Sequence, residues 1–164
     1  MLKPNEFEKV VDDLLFTHSQ LLLNGYLHKR VTSEAYGKNI YTWNTLLLSL
    51  EKDVILGLDK ILDKKFFGGL NSDELRVIGT KISKVRNHFA HINLNEIIHE
   101  EAFFKANGLT GSEIIKMIDA LKNLFIQNEK NVGSKINVQE LFNETTRNIM
   151  NDLDSWLKSF KTSL

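Results

Sequence analysis

The stretch Leu75–Ile92, LRVIGTKISKVRNHFAHI, decides how this chain is read. Leu75, Ile78, Ile82, Val85, Phe89 and Ile92 follow one another at steps of three and four. Successive residues of an α-helix turn by about 100° around its axis, so this spacing lays the apolar side chains along one stripe. The helix is expected to start near Asn71 or Ser72, where Asn71 and Glu74 resemble a capping box. Gly79 lies inside the stripe, and a close helix crossing is the expected reason for it.

Outward from this helix the same periodicity recurs, and no segment alternates with period two. Before it, Ile40 to Lys64 forms one long helix. Ile40, Trp43, Leu47, Leu50, Val54 and Ile61 line one seam, and Leu46, Leu48, Ile55, Leu58 and Leu62 add apolar surface elsewhere. A helix apolar around its girth is central, or it faces both a core and a partner. Phe66-Phe67-Gly68-Gly69 breaks it. The first helix is expected from Asn5 or just after it, with Phe7, Val10, Val11, Leu14, Leu21 and Leu22 on its apolar face and Gly25 at its end. Arg30 to Lys38 reads as a connector, with Thr32 or Ser33 as a possible start of the next helix.

Downstream, Asn93 to Asn107 is irregular, with a short helical piece possible at Ile97 to Phe104. Gly108 to Gly111 is a break, and Ser112 is the expected N-cap of a helix carrying Ile114, Ile115, Ile118, Leu121 and Phe125. A turn at Asn131-Val132-Gly133-Ser134 precedes the last helix, which carries Val138, Leu141, Phe142, Thr145, Ile149, Leu153, Trp156 and Phe160. Trp43 and Trp156 fall on apolar stripes and are expected in the core rather than as base-stacking platforms. The expected fold is all-α, an antiparallel bundle of about five helices in a single domain over residues 1–164.

Composition narrows the function. Hydrophobic residues make up 42% and charged residues 26%, ordinary for a globular protein. With no cysteine, disulfides, thiolate chemistry and Cys-based zinc sites are excluded. The start Met1-Leu2-Lys3-Pro4 lacks the pattern of a signal peptide, and no apolar run approaches the ~20 residues of a membrane helix. A cytoplasmic protein without a membrane partner is therefore expected. Net charge is zero, which argues against coating nucleic acid by bulk electrostatics. Yet Leu75 through Asn95 holds Arg76, Lys81, Lys84 and Arg86, with His88 and His91, and no Asp or Glu. Such a strip suits contact with a few phosphates; the alternative is a solvated helix face.

The chemistry-bearing run is Arg86-Asn87-His88-Phe89-Ala90-His91. An arginine can hold phosphate oxygens bidentately, and a histidine can move a proton near neutral pH. On the helix, Asn87 and His91 share a side with Lys84 and Thr80, close to opposite the apolar stripe. Arg86 sits at the flank of the stripe, roughly 140° around from His91. One helix therefore cannot easily bring both groups onto one phosphate. A second copy across a two-fold axis would set two arginines and two histidines around one cleft, so a homodimer is expected.

An all-α chain with this run resembles the HEPN superfamily, whose motif is an arginine, four to six residues, then a histidine, often with a polar residue after the arginine. Val85-Arg86-Asn87 with Ala90-His91, the run Leu58-Asp59-Lys60-Ile61-Leu62-Asp63 and the helix start in Thr110 to Ile118 are similar to its abortive-infection branch. The resemblance implies a dimeric helical bundle with the motif at the dimer cleft. It also implies a metal-independent endoribonuclease of toxin or phage-defence type, sometimes paired with a nucleotidyltransferase antitoxin. Other members are inactive binding modules, and an adaptor for a nucleotidyltransferase is the alternative here. His88 inside the motif and the neutral net charge depart from the pattern.

On that reading RNA is cleaved by transesterification. His91 withdraws the proton of a ribose 2′-hydroxyl or protonates the leaving oxygen, and Arg86 stabilises charge on the phosphoryl oxygens. Asn87 orients the imidazole or hydrogen-bonds the substrate, and Lys84, His88 and Lys81 are candidate substrate-binding residues. No cofactor and no metal are expected. A metal site from His88, His91, His99 and Glu100 is the rival chemistry, and His18 and His28 look incidental.

Overall fold

The computed structural model describes residues 3–30, 37–62, 72–91 and 108–161; the side chains of residue 30 and of residues 88–91 and 157–161 lie outside that set. Its elements are α1 (Pro4–Arg30), α2 (Ile40–Leu62), α3 (Asp73–His91), α4 (Gly111–Val132) and α5 (Val138–Lys161). No strand occurs among the described residues, so the fold is an all-α bundle.

The ends of these helices follow local chemistry in some places and tertiary packing in others. α1 does not stop at Gly25 but runs on to Arg30. A helical glycine costs roughly 1 kcal/mol against alanine. Burial of Tyr26 and Leu27 just beyond it offsets that cost, and Asn24 Nδ2 donates to the Leu47 carbonyl at 3.1 Å from a buried position. α4 is capped by Thr110 rather than Ser112. Thr110 Oγ1 accepts from the Glu113 backbone N–H, and the Glu113 carboxylate accepts from the Thr110 N–H, a complete capping box. Its C-terminus closes on Gly133 in the left-handed conformation at φ 71°, where the absent Cβ removes the steric penalty. α5 opens on Asn137, whose Oδ1 accepts from the Glu140 N–H.

Neighbours in sequence pack antiparallel. Along α1 and α2, Asp13 meets Lys60 at 2.9 Å while Asn24 meets Leu47. On α2 and α3, Leu62 lies by Gly79 and Asp59 by Ser83 and Arg86. On α3 and α4, Glu74 pairs with Lys116 and Lys81 with Glu113. α4 also packs on α1, with the Phe7 and Phe125 rings edge-on at 5.7 Å, so the first four helices close a ring. α5 lies along α1 in the same direction, as Glu8–Ser134, His18–Thr146 and Tyr26–Asp154 show.

One core unites all five helices: Phe7, Val11, Leu14, Ile55, Leu58, Ile61, Ile78, Ile82, Val85, Met117, Leu121, Phe125, Val138 and Phe142 are its deepest members. Each fully buried side chain of this size contributes about 1.5–3 kcal/mol. The α3 stripe is confirmed at Ile78, Ile82 and Val85, whereas the side chain of Phe89 and all of Ile92 lie outside the described residues. A smaller cluster of Leu27, Leu47 and Leu50, with Trp43 against it, ties the end of α1 to the first half of α2.

Several expectations are corrected. Ile115 is exposed, and Met117 takes its place in the core. Ile40 and Leu46 are exposed as well. Trp156 is 46% exposed and so is not a core residue. At Gly79 an added Cβ would stand 3.8 Å from Leu62 Cδ1, ordinary contact, so no close crossing explains it. The close crossing is at Gly57, where a Cβ would collide with the Thr17 hydroxyl of α1. The expectations for Thr32 or Ser33, Phe66–Gly69, Asn71 and Asn93–Asn107 fall outside the described residues.

Candidate functional site

Arg86 lies about one and a half turns before His91, the last residue described in α3, at the flank of the apolar stripe. From there it reaches across to α2. Its Nε donates to Asp59 Oδ2 at 2.7 Å, and its Nη1 donates to Asn87 Oδ1 at 2.8 Å. The other oxygen of Asp59, Oδ1, accepts from Ser83 Oγ at 2.8 Å. The Asp59 side chain is 11% exposed and that of Arg86 is 42% exposed. The carboxylate thus sits inside the α2–α3 seam, and the guanidinium leads from it to solvent. Among the described residues the Arg86 Nη2 has no hydrogen-bond partner.

The seam exists because of register. Leu58 and Ile61 turn into the core and leave Asp59 between them at the edge of the buried face, 8% exposed as a residue. A carboxylate there must be paired, since burying an uncompensated charge is far more costly than pairing it. Ser83 and Arg86, three apart on α3, project to the same side and satisfy both of its oxygens. Asp59 and Ser83 were not among the candidates drawn from the sequence. The available signal was an acid set between Leu58 and Ile61 on a helix apolar around its girth, which demands a cation or hydroxyl from a neighbour.

The other expected site residues fall in three groups. Asn87 is exposed and holds Arg86 through its Oδ1, so its described role is toward the arginine. Lys84 is exposed and has no ion-pair partner among the described residues. Lys81 is engaged: its Nζ donates to Glu113 Oε1 at 2.6 Å and to the Gly108 carbonyl at 2.7 Å. That bond, with those from Thr110, holds the Glu113 carboxyl below the ordinary carboxylate range. Lys81 therefore joins the start of α4 to α3. The side chains of His88 and His91 lie outside the described residues, as do His99 and Glu100 of the rival metal site. The α3 backbone is helical through His91, so positions 86 and 91 stand roughly 140° apart around its axis.

The strip without acids between Leu75 and Asn95 is neutralised in three dimensions. Arg76 faces Asp73 at 3.5 Å, Lys81 faces Glu113 and Arg86 faces Asp59. Of its four lysines and arginines only Lys84 lacks a carboxylate partner among the described residues.

A second polar node lies between α1, α4 and α5. His18 Nε2 is 3.3 Å from Thr146 Oγ1, and its ring is tilted on Phe142 with centroids 5.3 Å apart. Its Nδ1 is buried without a hydrogen-bond partner among the described residues. Burial holds the imidazole below the usual histidine range, Lys122 adds to this, and Asp119 opposes it. His18 is thus a packed ring that burial keeps from protonating readily. His28 is exposed and lies 3.7 Å from Glu51.

No described helix is long and apolar enough to cross a membrane, and no three His, Asp or Glu residues converge as metal ligands among the described residues. Comparison of the chain with protein-family models, with curated proteins and with solved structures finds no match in any of the three.

Proposed function

We propose that the protein is a HEPN-like, metal-independent endoribonuclease of toxin or phage-defence type, acting in the cytoplasm as a homodimer. The observation that supports this best is the half-exposed Arg86, held on α3 by Asp59 and Asn87 with Nη2 unpartnered among the described residues, on the same continuous helix as His91. In the proposed reaction the ribose 2′-oxygen forms a bond to phosphorus and the bond from phosphorus to the 5′-oxygen breaks. The products are a 2′,3′-cyclic phosphate and a 5′-hydroxyl. His91 takes the proton of the 2′-hydroxyl or supplies one to the departing 5′-oxygen, the two-fold arrangement providing one imidazole for each task. Arg86 stabilises the charge that builds on the non-bridging oxygens. Asn87 keeps the guanidinium in place, and Lys84 is the described cation left to meet a neighbouring phosphate; Lys81 and His88 are weaker candidates for substrate contact.

The test is cleavage of labelled RNA by the pure protein in chelator. Products ending in cyclic phosphate are expected, with a loss of about 100-fold or more in His91→Ala. Equal cleavage by that variant removes His91 from the reaction. A second reading, a non-catalytic adaptor for a nucleotidyltransferase-type partner, is favoured by the pairing of Arg76, Lys81 and Arg86 with carboxylates. Absence of cleavage together with stoichiometric binding of such a transferase supports the adaptor.

A further inference from the structure

We infer that Asp59, supported by Ser83, is a positioning residue that fixes which edge of Arg86 a phosphoryl group can meet; this rests on the nuclease reading above. A free guanidinium offers two bidentate edges, one formed by Nε with a terminal nitrogen and one formed by the two terminal nitrogens. Here Asp59 occupies Nε at 2.7 Å, which removes the first edge. Asn87 takes one hydrogen of Nη1, and Nη2 carries no partner among the described residues. Nη1 therefore retains one hydrogen and Nη2 both, so the terminal nitrogens are the donors left to a phosphoryl group. The Ser83 hydroxyl pins the second oxygen of Asp59, so the carboxylate cannot swing to follow the arginine. The helices fix the rest, because Leu58 and Ile61 on α2 and Ile82 and Val85 on α3 are buried around the pair.

The pairing has an electrostatic consequence. Asp59 offsets the charge of Arg86, so the arginine offers directed hydrogen bonds more than net attraction to RNA. Arg86 then adds little to ground-state binding or to its salt dependence, while oxygens that gain charge in the transition state meet donors already aimed at them. Asp59→Asn reverses both features. It frees a cation, which tightens RNA binding and raises the salt dependence by about one phosphate contact. It also releases the guanidinium, which lowers turnover.

The experiment compares wild type, Asp59→Asn and Ser83→Ala for single-turnover kcat and KM on one RNA in chelator. The Nε–H resonance of Arg86, assigned by its loss in Arg86→Lys, is followed by NMR. The expected result is a fall of about 10- to 100-fold in kcat for Asp59→Asn with KM unchanged or lower, and loss of a protected Nε–H signal. Ser83→Ala shows the same pattern to a lesser degree, and carries the test should Asp59→Asn fail to fold. A merely structural role would lower the active fraction and leave KM and the salt slope alone. Cleavage by wild type with kcat, KM and the Nε–H signal all unchanged in folded Asp59→Asn, or in Ser83→Ala where the former does not fold, overturns the positioning role and leaves the nuclease reading standing. Absence of cleavage by wild type overturns that reading and this role with it, even where the Nε–H signal shows Asp59 stapling α2 to α3.

Discussion

Two of the polar nodes among the described residues, at Asp59 and at His18, are built on opposite principles. Between α2 and α3, each oxygen of the Asp59 carboxylate accepts from an α3 side chain. Between α1, α4 and α5, His18 keeps one ring nitrogen bonded to Thr146 and the other buried without a partner among the described residues. The first node is satisfied because α3 supplies a donor to each carboxylate oxygen. The second avoids charge because burial disfavours it, with Lys122 reinforcing that preference. The first is a seam that displays the Arg86 guanidinium at its outer end. The second is a packed ring that resists protonation. A buried polar residue therefore does not by itself mark a site; what matters is whether its partners lead outward.

The sharpest way to break this contrast is Asp59→Ala. The variant strands Arg86 and Ser83 at the seam and leaves a small void beside Leu58. Because Arg86 is partly solvated, the cost is expected below that of a fully buried pair, about 1–3 kcal/mol by urea denaturation. Arg86→Ala added to it should recover part of the loss, and strict additivity of the two changes would deny the coupling. Next in size is Gly57→Ala, which strikes both nodes at once. Gly57 lies two residues before Asp59, and Thr17, which faces it, adjoins His18. The new methyl must displace the Thr17 hydroxyl, itself bonded to the Asp13 carbonyl at 2.8 Å. A loss of about 1–2 kcal/mol is expected despite the better helix propensity of alanine. Thr17→Ala in the same chain should restore most of it. If Gly57→Ala is instead stabilising, the crossing is looser than described.

These nodes also show what can be read from sequence. The apolar faces of α1 and α3 were legible because burial is encoded locally, in spacings of three and four: Phe7, Val10, Val11 and Leu14 on one, Ile78, Ile82 and Val85 on the other. The stop at Gly133 was legible because a left-handed residue is a local requirement. What failed depended on neighbours. Gly25 does not end α1, since Leu27 finds burial against α2 beyond it and Tyr26 is buried with its hydroxyl on Asp154 of α5. Gly79 and Gly57 look alike in sequence, yet only the latter meets another helix closely. The basic strip on α3 was read without Asp59 and Glu113, carboxylates that lie 27 and 32 residues away from their partners. Arg86 could be picked out by its residue type and its spacing to His91, but the group that aims it could not.

At the His18 node the expected effect is smaller and depends on pH. The folded-state pKa is lowered, so the unfolded chain binds the proton more readily. The stability of the fold is then fully present above the unfolded value of about 6.5 and is eroded as pH falls below it, until the folded ring itself protonates. His18→Leu removes the orphan nitrogen and keeps an apolar filler against Phe142. At pH 7.5 its stability is expected within about 1 kcal/mol of wild type. Between pH 6.5 and 5 its Tm should fall less steeply than that of wild type. Because His28 and Glu51 also face each other, the measurement is the difference between the two profiles rather than either alone. Parallel profiles would mean that His18 titrates as freely in the fold as outside it.

The smallest effect separates geometry from burial. α3 is tied to α4 by Glu74–Lys116 at 2.5 Å and to α2 by Asp59–Arg86 at 2.7 Å, so distance alone ranks the former first. Exposure reverses the order: both partners of the first pair are more than half exposed, whereas Asp59 is close to fully enclosed. In water the attraction of the exposed pair is offset by the entropy of holding two long side chains together, and salt screens what remains. A double-mutant cycle on Glu74→Ala and Lys116→Ala is therefore expected to give a coupling of about 0.5 kcal/mol or less, fading in 1 M salt. The same cycle on Asp59 and Arg86 should give a larger coupling that persists there. Equal couplings would mean that the α2–α3 pair is screened as fully as the surface one, and the fixed orientation inferred for Arg86 would lose its physical basis.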